Sequence, residues 1–574
     1  MTGPHRRLQH GPTDGRPQMP PELRMSEEPV HSPFTIPIFR AVWIASVCSN
    51  FGGLIQAVGA SWMITQLGGS PQQVALVQAS VSLPIMLLSL WAGAMADNLD
   101  RRKIMLLAQS FMLVVSLGLA ICTYAGLMSP WFLLCLTFLI GCGTAINSPA
   151  WQASIGDMVP RPVLPGAIAM NSMGFNIARS VGPALGGAVV AFGGALLAFA
   201  INATSYLGLI NVLARWKPVR AEHRLPRERL AVAMVAGVRY AAMSPSLLRV
   251  MARASLFGIA ASSIPALLPL VARDLIGGGP LTYGLLLGSF GFGAVIGAAL
   301  SGRLRRKWST EIIVVIATLS IAAGEFVAGS VHLLVPVQAG LLLAGAGWLL
   351  ALSSFNSSMQ LNSPRWVVAR SISLYQMSAF GAMAGGSWLF GHISETHGAA
   401  LALQAAAAVQ LAGLIVGRLF PMPGMATANL DPRARWIEPD LQVPIEARSG
   451  PIVITIEHRI ARMDIPRFLA AMEIRRRMRI RDGARGWTLL RDLEDPELWV
   501  ERYRVPTWLD YIRHHERRTK ADAENSRTLM ALRLGGGEPV VHRMIERRTG
   551  LGSLLRGADP HELPEPMTDP TRSN

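Results

Sequence analysis

Apolar residues come in long blocks along most of this chain. Between residues 40 and 420 polar positions are sparse, and they gather in short stretches that separate the blocks. A bilayer core is crossed by about 20 apolar residues in a helix. Twelve segments of that kind fall near 40–66, 72–96, 104–126, 131–153, 167–191, 194–214, 248–272, 281–301, 310–331, 333–355, 371–393 and 398–420. Many contain Gly and Pro, which membrane helices tolerate. The predicted fold class is an all-α polytopic membrane protein with twelve transmembrane helices.

Two regions break the pattern. The polar stretch from Arg215 to Arg249 divides the spans into two six-helix halves. Within it, Arg227 to Met243 sets Leu230, Met234, Val238 and Ala242 at helical spacing, which predicts an amphipathic helix lying along the membrane face. Beyond residue 425 the pattern becomes that of a soluble domain. Residues 451–546 read β-α-β-β-α-β, with strands at 451–457, 486–491, 498–503 and 539–545 and helices at 465–479 and 507–523. That order predicts a small ferredoxin-like α+β domain. It carries its own strand and helix pattern behind the linker Pro421-Met422-Pro423-Gly424, so it is expected to fold apart from the bundle.

The domains therefore read as a disordered N-terminal arm (1–38), a first six-helix half (39–214), a middle loop (215–247), a second half (248–425), the α+β domain (426–550) and a disordered tail (551–574).

Charge fixes the expected orientation. The even-numbered loops hold 18 Lys and Arg and the odd-numbered loops only Arg273. Cytoplasmic loops collect positive charge, so both termini are expected in the cytoplasm of a bacterial cell, with the bundle in its inner membrane. The net charge of +17 points to nucleic acid by default, but membrane topology accounts for it, and no nucleic-acid partner is expected. Residues 1–33 lack the apolar core of a signal peptide. Cys48, Cys122, Cys135 and Cys142 show no metal-ligand spacing, and no cofactor or metal is expected.

The chemistry begins with a turn that occurs twice. Gly93 is followed four residues on by Asp97 and eight on by Arg101, Arg102 and Lys103. Gly297 is followed by Ser301 and then by Arg305, Arg306 and Lys307, at an offset of 204 residues. A fixed offset between matching turns marks a duplicated membrane half. A second signature, Gly182-Pro183-Ala184-Leu185-Gly186-Gly187, lies in the fifth span, and a degenerate form, Gly381 with Gly385 and Gly386, lies in the eleventh. Small residues allow close helix approach and Pro bends the helix, which suits a tight interface between the halves.

These residues resemble the major facilitator superfamily. The first turn matches the superfamily's loop between helices 2 and 3, departing at Asn98 and Asp100. The resemblance implies that Asp97 and the Arg cluster lock the halves in the outward-facing state, and that Gly182 to Gly187 is the antiporter motif of proton-coupled exporters. Within the superfamily the chain is similar to the transmembrane secretion effector group, which includes enterobactin exporters. The cues are Ser49-Asn50-Phe51-Gly52, Trp62, the run Asn147 to Gln152, Asn171, Asn176 and Ser373-Leu374-Tyr375-Gln376. Arg477 to Trp487 and Val505 to Trp508 resemble a tail often fused to these exporters. Similar small domains dimerise into α/β barrels and some oxidise substrates, which implies a homodimer through this domain. His458, His514 and His515 come without a metal set or a nucleophile–base pair.

Ionisable groups inside spans are expensive and face a cavity or a partner. Arg179 in the fifth span is read either as a tie to carbonyls or Asn176, or as a cavity cation that pairs with an anionic substrate or a titrating acid. Glu325 is the one acid well inside any span and suits a proton carrier. Asn50, Gln56, Asn147, Gln152, Asn356, Gln360 and Tyr375 give the apolar helices amide and hydroxyl groups, suited to a cavity for an amphipathic molecule or to interhelical hydrogen bonds.

The expected function is proton-coupled export of a small amphipathic compound, such as a siderophore, drug or secondary metabolite, by alternating access, with small-molecule substrate, protons and lipid as partners and no enzymatic step. The alternatives are a membrane-tethered enzyme or a ligand sensor acting through the α+β domain.

Overall fold

The computed structural model describes residues 32–160, 163–216, 230–364, 366–423, 439, 441–517, 519–535 and 539–546, without the side chains of Asp97, Asn98, Pro165, Leu230 to Ala233, Glu516 and Ala521. Most of the expected N-terminal arm, residues 217–229 of the middle loop and the expected tail 551–574 lie outside the described residues.

The first half consists of α1 (Pro37–Gln66), α2 (Pro71–Asn98), α3 (Arg101–Tyr124), α4 (Pro130–Met158) and α5 (Leu164–Arg215). An amphipathic helix, α6 (Leu230–Ala242), follows. The second half holds α7 (Pro245–Ala261), α8 (Ser263–Leu270), α9 (Pro280–Lys307), α10 (Thr310–Ser330), α11 (Leu334–Leu361), α12 (Val368–His397) and α13 (Ala399–Leu419). Among the described residues, ten helical stretches are long and apolar enough to cross a membrane. One of them, Gly166–Arg215, is 50 residues long and carries two spans. The 30-residue α12 supplies another, which brings the ten to the expected twelve.

Sequence chemistry sets the helix ends. Proline stands at the first position of α1, α2, α4 and α9, where its missing N–H costs nothing. Ser70 opens α2 with a capping box: its hydroxyl accepts from the Gln73 N–H at 3.3 Å, and the Gln73 amide accepts from the Ser70 N–H at 2.9 Å. Asp100 caps α3 by accepting from the Lys103 N–H at 3.4 Å, which gives a local reason for the acid that departs from the superfamily turn.

The fifth and sixth spans are one helical element that reverses at Gly194, with φ 68° and ψ −176°. The eleventh and twelfth reverse at Gly398, with φ 87° and ψ 159°. The two glycines are 204 residues apart, the offset of the basic turns. Both lie in a backbone region that is essentially restricted to Gly.

The seventh span is one helical stretch, Pro245–Leu275, with a local irregularity. Its hydrogen bonding is interrupted near Ser262, between α7 and α8, while the backbone stays helical, and it ends in a π-turn at Val271–Leu275. Pro265 and Pro269 each remove a backbone donor there.

Within the first half, α1 packs on α5, α2 on α4, and α3 on both α4 and α5. Within the second, α9 packs on α11, α10 on α11 and α13, and α7 on α12. The halves meet along two seams, α2 against α12 and α5 against α9.

The C-terminal domain comprises β1 (Ile452–Arg459), α14 (Ile465–Arg481), β2 (Arg485–Arg491), β3 (Leu498–Val505), α15 (Trp508–Glu516), α16 (Lys520–Ala531) and β4 (Val541–Ile545). Its antiparallel sheet runs β2-β3-β1-β4, the order that β-α-β-β-α-β gives when two split crossovers interleave. The expected second helix, 507–523, is instead two helices, with Thr519 capping the second of them through Asp522. Ile452, Ile454 and Ile456 of β1 stand opposite Val505, Tyr503 and Glu501 of β3, and this face is buried.

The C-terminal domain also touches the bundle. It has its own apolar core but docks on α6 and on the segment before α12: Arg239 Nε donates to the Arg481 carbonyl at 3.3 Å, and the Arg517 guanidinium lies 4.4 Å from the centre of the Trp366 ring. Long arginine side chains can bridge a charged domain to aromatic rings at low cost, and the chain pattern gave no sign of that pairing.

Candidate functional site

The bundle end that carries the two basic turns is the basic end here, and the opposite one the far end. At the far end the halves share one apolar core, which contains Ile55, Val58 and Ile64 of α1, Val190 of α5, Leu267 and Leu268 of α8 and Phe290 of α9. Trp62 of α1 stacks on Tyr283 of α9, with ring centres 6.4 Å apart and planes at 21°. At the basic end the first half has a core cluster of its own, including Phe39, Val42, Ile104, Met105 and Leu213. The bundle is thus closed at the far end, and its apolar core divides towards the basic end.

The first basic turn ties helices of its own half. Arg101 donates to the Ala96 carbonyl at 3.2 Å, to the Ala153 carbonyl at 3.1 Å and to Asp157 at 2.9 Å. Arg102 donates to the Leu213 and Ala214 carbonyls at 2.9 and 2.6 Å, satisfying the last turn of the sixth span. The Asp97 side chain lies outside the described residues. In the second turn Arg305 donates to Ser353 at 3.1 Å, to Ser357 at 3.0 Å and to Ser301 at 3.3 Å. Ala153 and Ser357 are again 204 residues apart. The repeat thus keeps the geometry while a carbonyl acceptor is exchanged for a hydroxyl. Arg306 is exposed.

The two glycines of the repeat meet different neighbours. A Cβ on Gly93 would lie 3.0 Å from Ser373 Oγ of α12, across the seam between the halves. A Cβ on Gly297 would collide with the Ala346 carbonyl of α11, inside the second half.

The glycines of the fifth span divide in the same way. Gly182 faces Leu54, and Gly186 faces Ile55 and Val58, all on α1. Gly187 faces Gly284 across the seam, where an added Cβ would lie 2.8 Å from the Gly284 Cα. Pro183 supplies the carbonyl that an added Cβ on Gly284 would meet at 2.7 Å. Nearer the basic end Ser180 Oγ donates to the Gly291 carbonyl at 3.2 Å, and Gly291 sits directly on the Arg179 backbone. Backbone-to-backbone approach of this kind depends on the missing side chains.

The polar residues of the spans separate into groups. Gln56 is buried and accepts from Ser116 at 2.8 Å and Asn202 at 2.6 Å, a network inside the first half. Gln360 donates to Asn356 at 3.3 Å, near the basic end of α11. Gln152 is exposed and Asn50 half-buried. Asn147 keeps a buried side-chain oxygen without a hydrogen bond. Tyr375 is buried on α12. Glu325 is fully buried on α10, where the Ser263 hydroxyl donates to one carboxyl oxygen at 3.0 Å while the other finds no partner. Ser263 opens α8, directly after the irregularity in the seventh span. Arg179 is half-buried and has neither a hydrogen bond nor an ion pair among the described residues.

Sequence reasoning missed a third tie. Arg253 of α7 is buried, pairs with Glu311 at 3.1 Å and donates to the Phe420 carbonyl at 3.2 Å. Glu311 in turn accepts from the Met422 N–H at 2.7 Å. This clamp fixes the end of α13. Neither residue belongs to a motif, and only their isolation in apolar sequence could have signalled them.

In the C-terminal domain the buried Glu501 accepts from Arg475 at 2.7 Å, Arg479 at 3.0 Å and Trp487 at 3.2 Å. Burial works against its charge, but Arg479 and Arg475 outweigh that and hold the carboxyl well below its usual range. His458 is buried 3.7 Å from Glu501, and burial pushes it below the usual imidazole range. His514 lies 2.8 Å from Arg479. These histidines belong to the interior of the domain. Among the described residues no His, Cys, Asp and Glu group could hold a metal.

The comparisons agree with this architecture. The chain is 27% identical over 392 residues to the enterobactin exporter EntS of Salmonella typhimurium, covering 67% of this chain and 91% of that protein. It is 29% identical over 156 residues to the staphyloferrin A transporter of Staphylococcus aureus, covering 27% and 39%. Its fold is similar to that of the transporter PepTSo, at a TM-score of 0.55 and 13% identity, covering 67% of this chain and 97% of that one. It is also similar to a bacterial homologue of the lysosomal transporter Spinster, at 0.52 and 16%, covering 67% and 95%. The family model described as transmembrane secretion effector matches residues 29–550, and the chain belongs to that family of major facilitator superfamily transporters.

Proposed function

We propose that this protein is a proton-coupled exporter of a small siderophore-like compound, working by alternating access in the bacterial inner membrane with both termini in the cytoplasm. The observation that carries the reading is the similarity to enterobactin exporters across 91% of their length. The closed far end and the two glycine seams support it, because they join two halves that can rock about α2–α12 and α5–α9. The 18-to-1 distribution of basic loop residues supports the orientation. The chain has no Gly-rich Lys-Ser/Thr phosphate loop, so the driving force is assigned to the proton gradient. We assign the proton to Glu325, and one carboxyl oxygen buried without a partner supports that assignment.

The test is uptake of radiolabelled enterobactin by inverted membrane vesicles energised through respiration. Uptake that collapses on addition of a protonophore and needs no ATP is expected. Uptake that follows ATP without a pH gradient overturns the coupling, and absence of uptake overturns the siderophore-like substrate.

A further inference from the structure

The fifth span shows two exposed stripes. One is wholly apolar: Met173, Ile177, Val181 and Leu185, each between 46 and 48% exposed. Such a stripe suits lipid. The other runs Ile168, Ser172, Phe175 and Arg179 at four-three-four spacing, one helix face by geometry. Ile168 is 50% and Phe175 49% exposed, Ser172 is exposed and Arg179 half-buried.

The contacts on either side locate this second stripe. Gly182 and Gly186 press on α1 along one flank, and Ser180 and Gly187 press on α9 of the other half along the other. Arg179 therefore sits in the wedge between α1 and α9, at the level of Gly291. Below it towards the basic end lie Phe175 and Ser172, where the shared core gives out. The matching position of the eleventh span, 199 residues on, is Ser378, whose hydroxyl donates to the Tyr375 carbonyl at 2.9 Å. The cation thus belongs to the first half alone.

A guanidinium at mid-span without an acceptor is costly. It offers five N–H donors in a planar fork, shaped for carboxylate or a similar anion. We infer that Arg179 is the counter-charge for an anionic group on the exported compound, so that the substrate class is anionic and amphipathic, its apolar part lying against Phe175 and Ile168. This rests on the export reading above. The aromatic wall accepts rings and the cation sets the charge, so a neutral molecule of the same shape forfeits the charge-assisted hydrogen bonds.

The test compares two probes that differ by one charge, N-(2,3-dihydroxybenzoyl)serine and its serinamide. Their binding is measured by titration calorimetry on the full-length protein in nanodiscs. The native protein is expected to bind the carboxylate about tenfold or more tighter than the amide, the worth of a charge-assisted hydrogen bond. Arg179→Gln is expected to lose that preference and bind the two probes alike, and Arg179→Lys to retain part of it. Thermal melting shows whether each variant is folded. If Arg179→Gln does not fold, the Arg179→Lys protein and the salt dependence of the native preference decide. A preference that persists in Arg179→Gln, or that is absent or indifferent to salt in the native protein, overturns the inference and leaves export standing. Binding of neither probe overturns the inference together with the siderophore-like reading.

Discussion

The rings of Tyr240 and Trp366 meet edge to face, 5.4 Å apart and at 85°. Each also carries an arginine from the C-terminal domain, Arg481 at 5.2 Å over Tyr240 and Arg517 at 4.4 Å over Trp366. Tyr240 belongs to α6, which packs on α2 and α12, the helices of one seam between the halves. The domain therefore grips the bundle beside a seam where its halves meet.

A chain ending at Met425 is expected to insert and to transport, because the two halves pack on each other without the C-terminal domain. Its rate is expected to change, since the grip on α6 is gone. Each cation–π contact is worth about 0.5–1 kcal/mol at a partly exposed site, so Trp366→Ala and Tyr240→Ala should shift the rate in the same direction by a smaller amount. Transport and size measurements on truncated and full-length protein, side by side, check this. Complete loss of transport with normal insertion would make the domain part of the mechanism and raise the enzyme or sensor reading.

Arg101 holds α2, α3 and α4 together through two carbonyls and Asp157. The ion pair is half-exposed and contributes about 0–1 kcal/mol on its own, whereas the Ala96 and Ala153 carbonyls lose a charged donor. Arg101→Ala is expected to insert normally and to transport at about a tenth of the native rate or less, the equivalent of one charged hydrogen bond. Asp157→Asn should have a milder effect. Asp97→Asn is expected to cut transport sharply without loss of insertion. Vesicle transport with quantified protein levels separates these three outcomes.

Gly194 and Gly398 both occupy a conformation that other residues reach only at a cost of about 1–3 kcal/mol. Nothing lies within 4 Å of a Cβ at either position, so the cost of Gly194→Ala or Gly398→Ala is backbone strain alone. Both variants are expected to lower thermal stability by similar amounts. Melting curves of the purified proteins test the equivalence, and a drop at one site only would break the symmetry argument.

The C-terminal domain should resist mild acid. The folded Glu501 carboxyl lies well below its usual range, so its contribution is present above the unfolded value and is lost only as pH falls through the folded one. Stability attributable to Glu501 is thus flat from neutral pH down to about 4, the ordinary carboxylate range, and declines below it. Glu501→Gln leaves Arg475 and Arg479 buried without a counter-charge, and breaking such a cluster costs about 3–5 kcal/mol. Hydrogen exchange of β1 and β3 in the full-length protein across this pH range is the measurement.

The bundle was legible because membrane helices announce themselves by length and apolarity, and because a duplicated chain repeats its turns at one offset. The irregularity at Ser262 was hidden, since the hydropathy of the seventh span carries no trace of it and only Pro265 and Pro269 mark it. The roles of the polar residues were less legible. Gln56 and Asn50 look alike in sequence, yet Gln56 is tied to Ser116 and Asn202 while Asn50 is not, because the difference is decided by helices 60 and more residues away. The docking of the C-terminal domain was invisible, as Arg481 and Arg517 read as two among many surface arginines.

The single-glycine reversals have a consequence for the far face of the molecule. Of its six connections, two are one residue long and the others are the short stretches around Gly68, Gly126, Gly277 and Leu333. That face presents almost no protruding chain. It offers little loose chain for a protease or an antibody to seize.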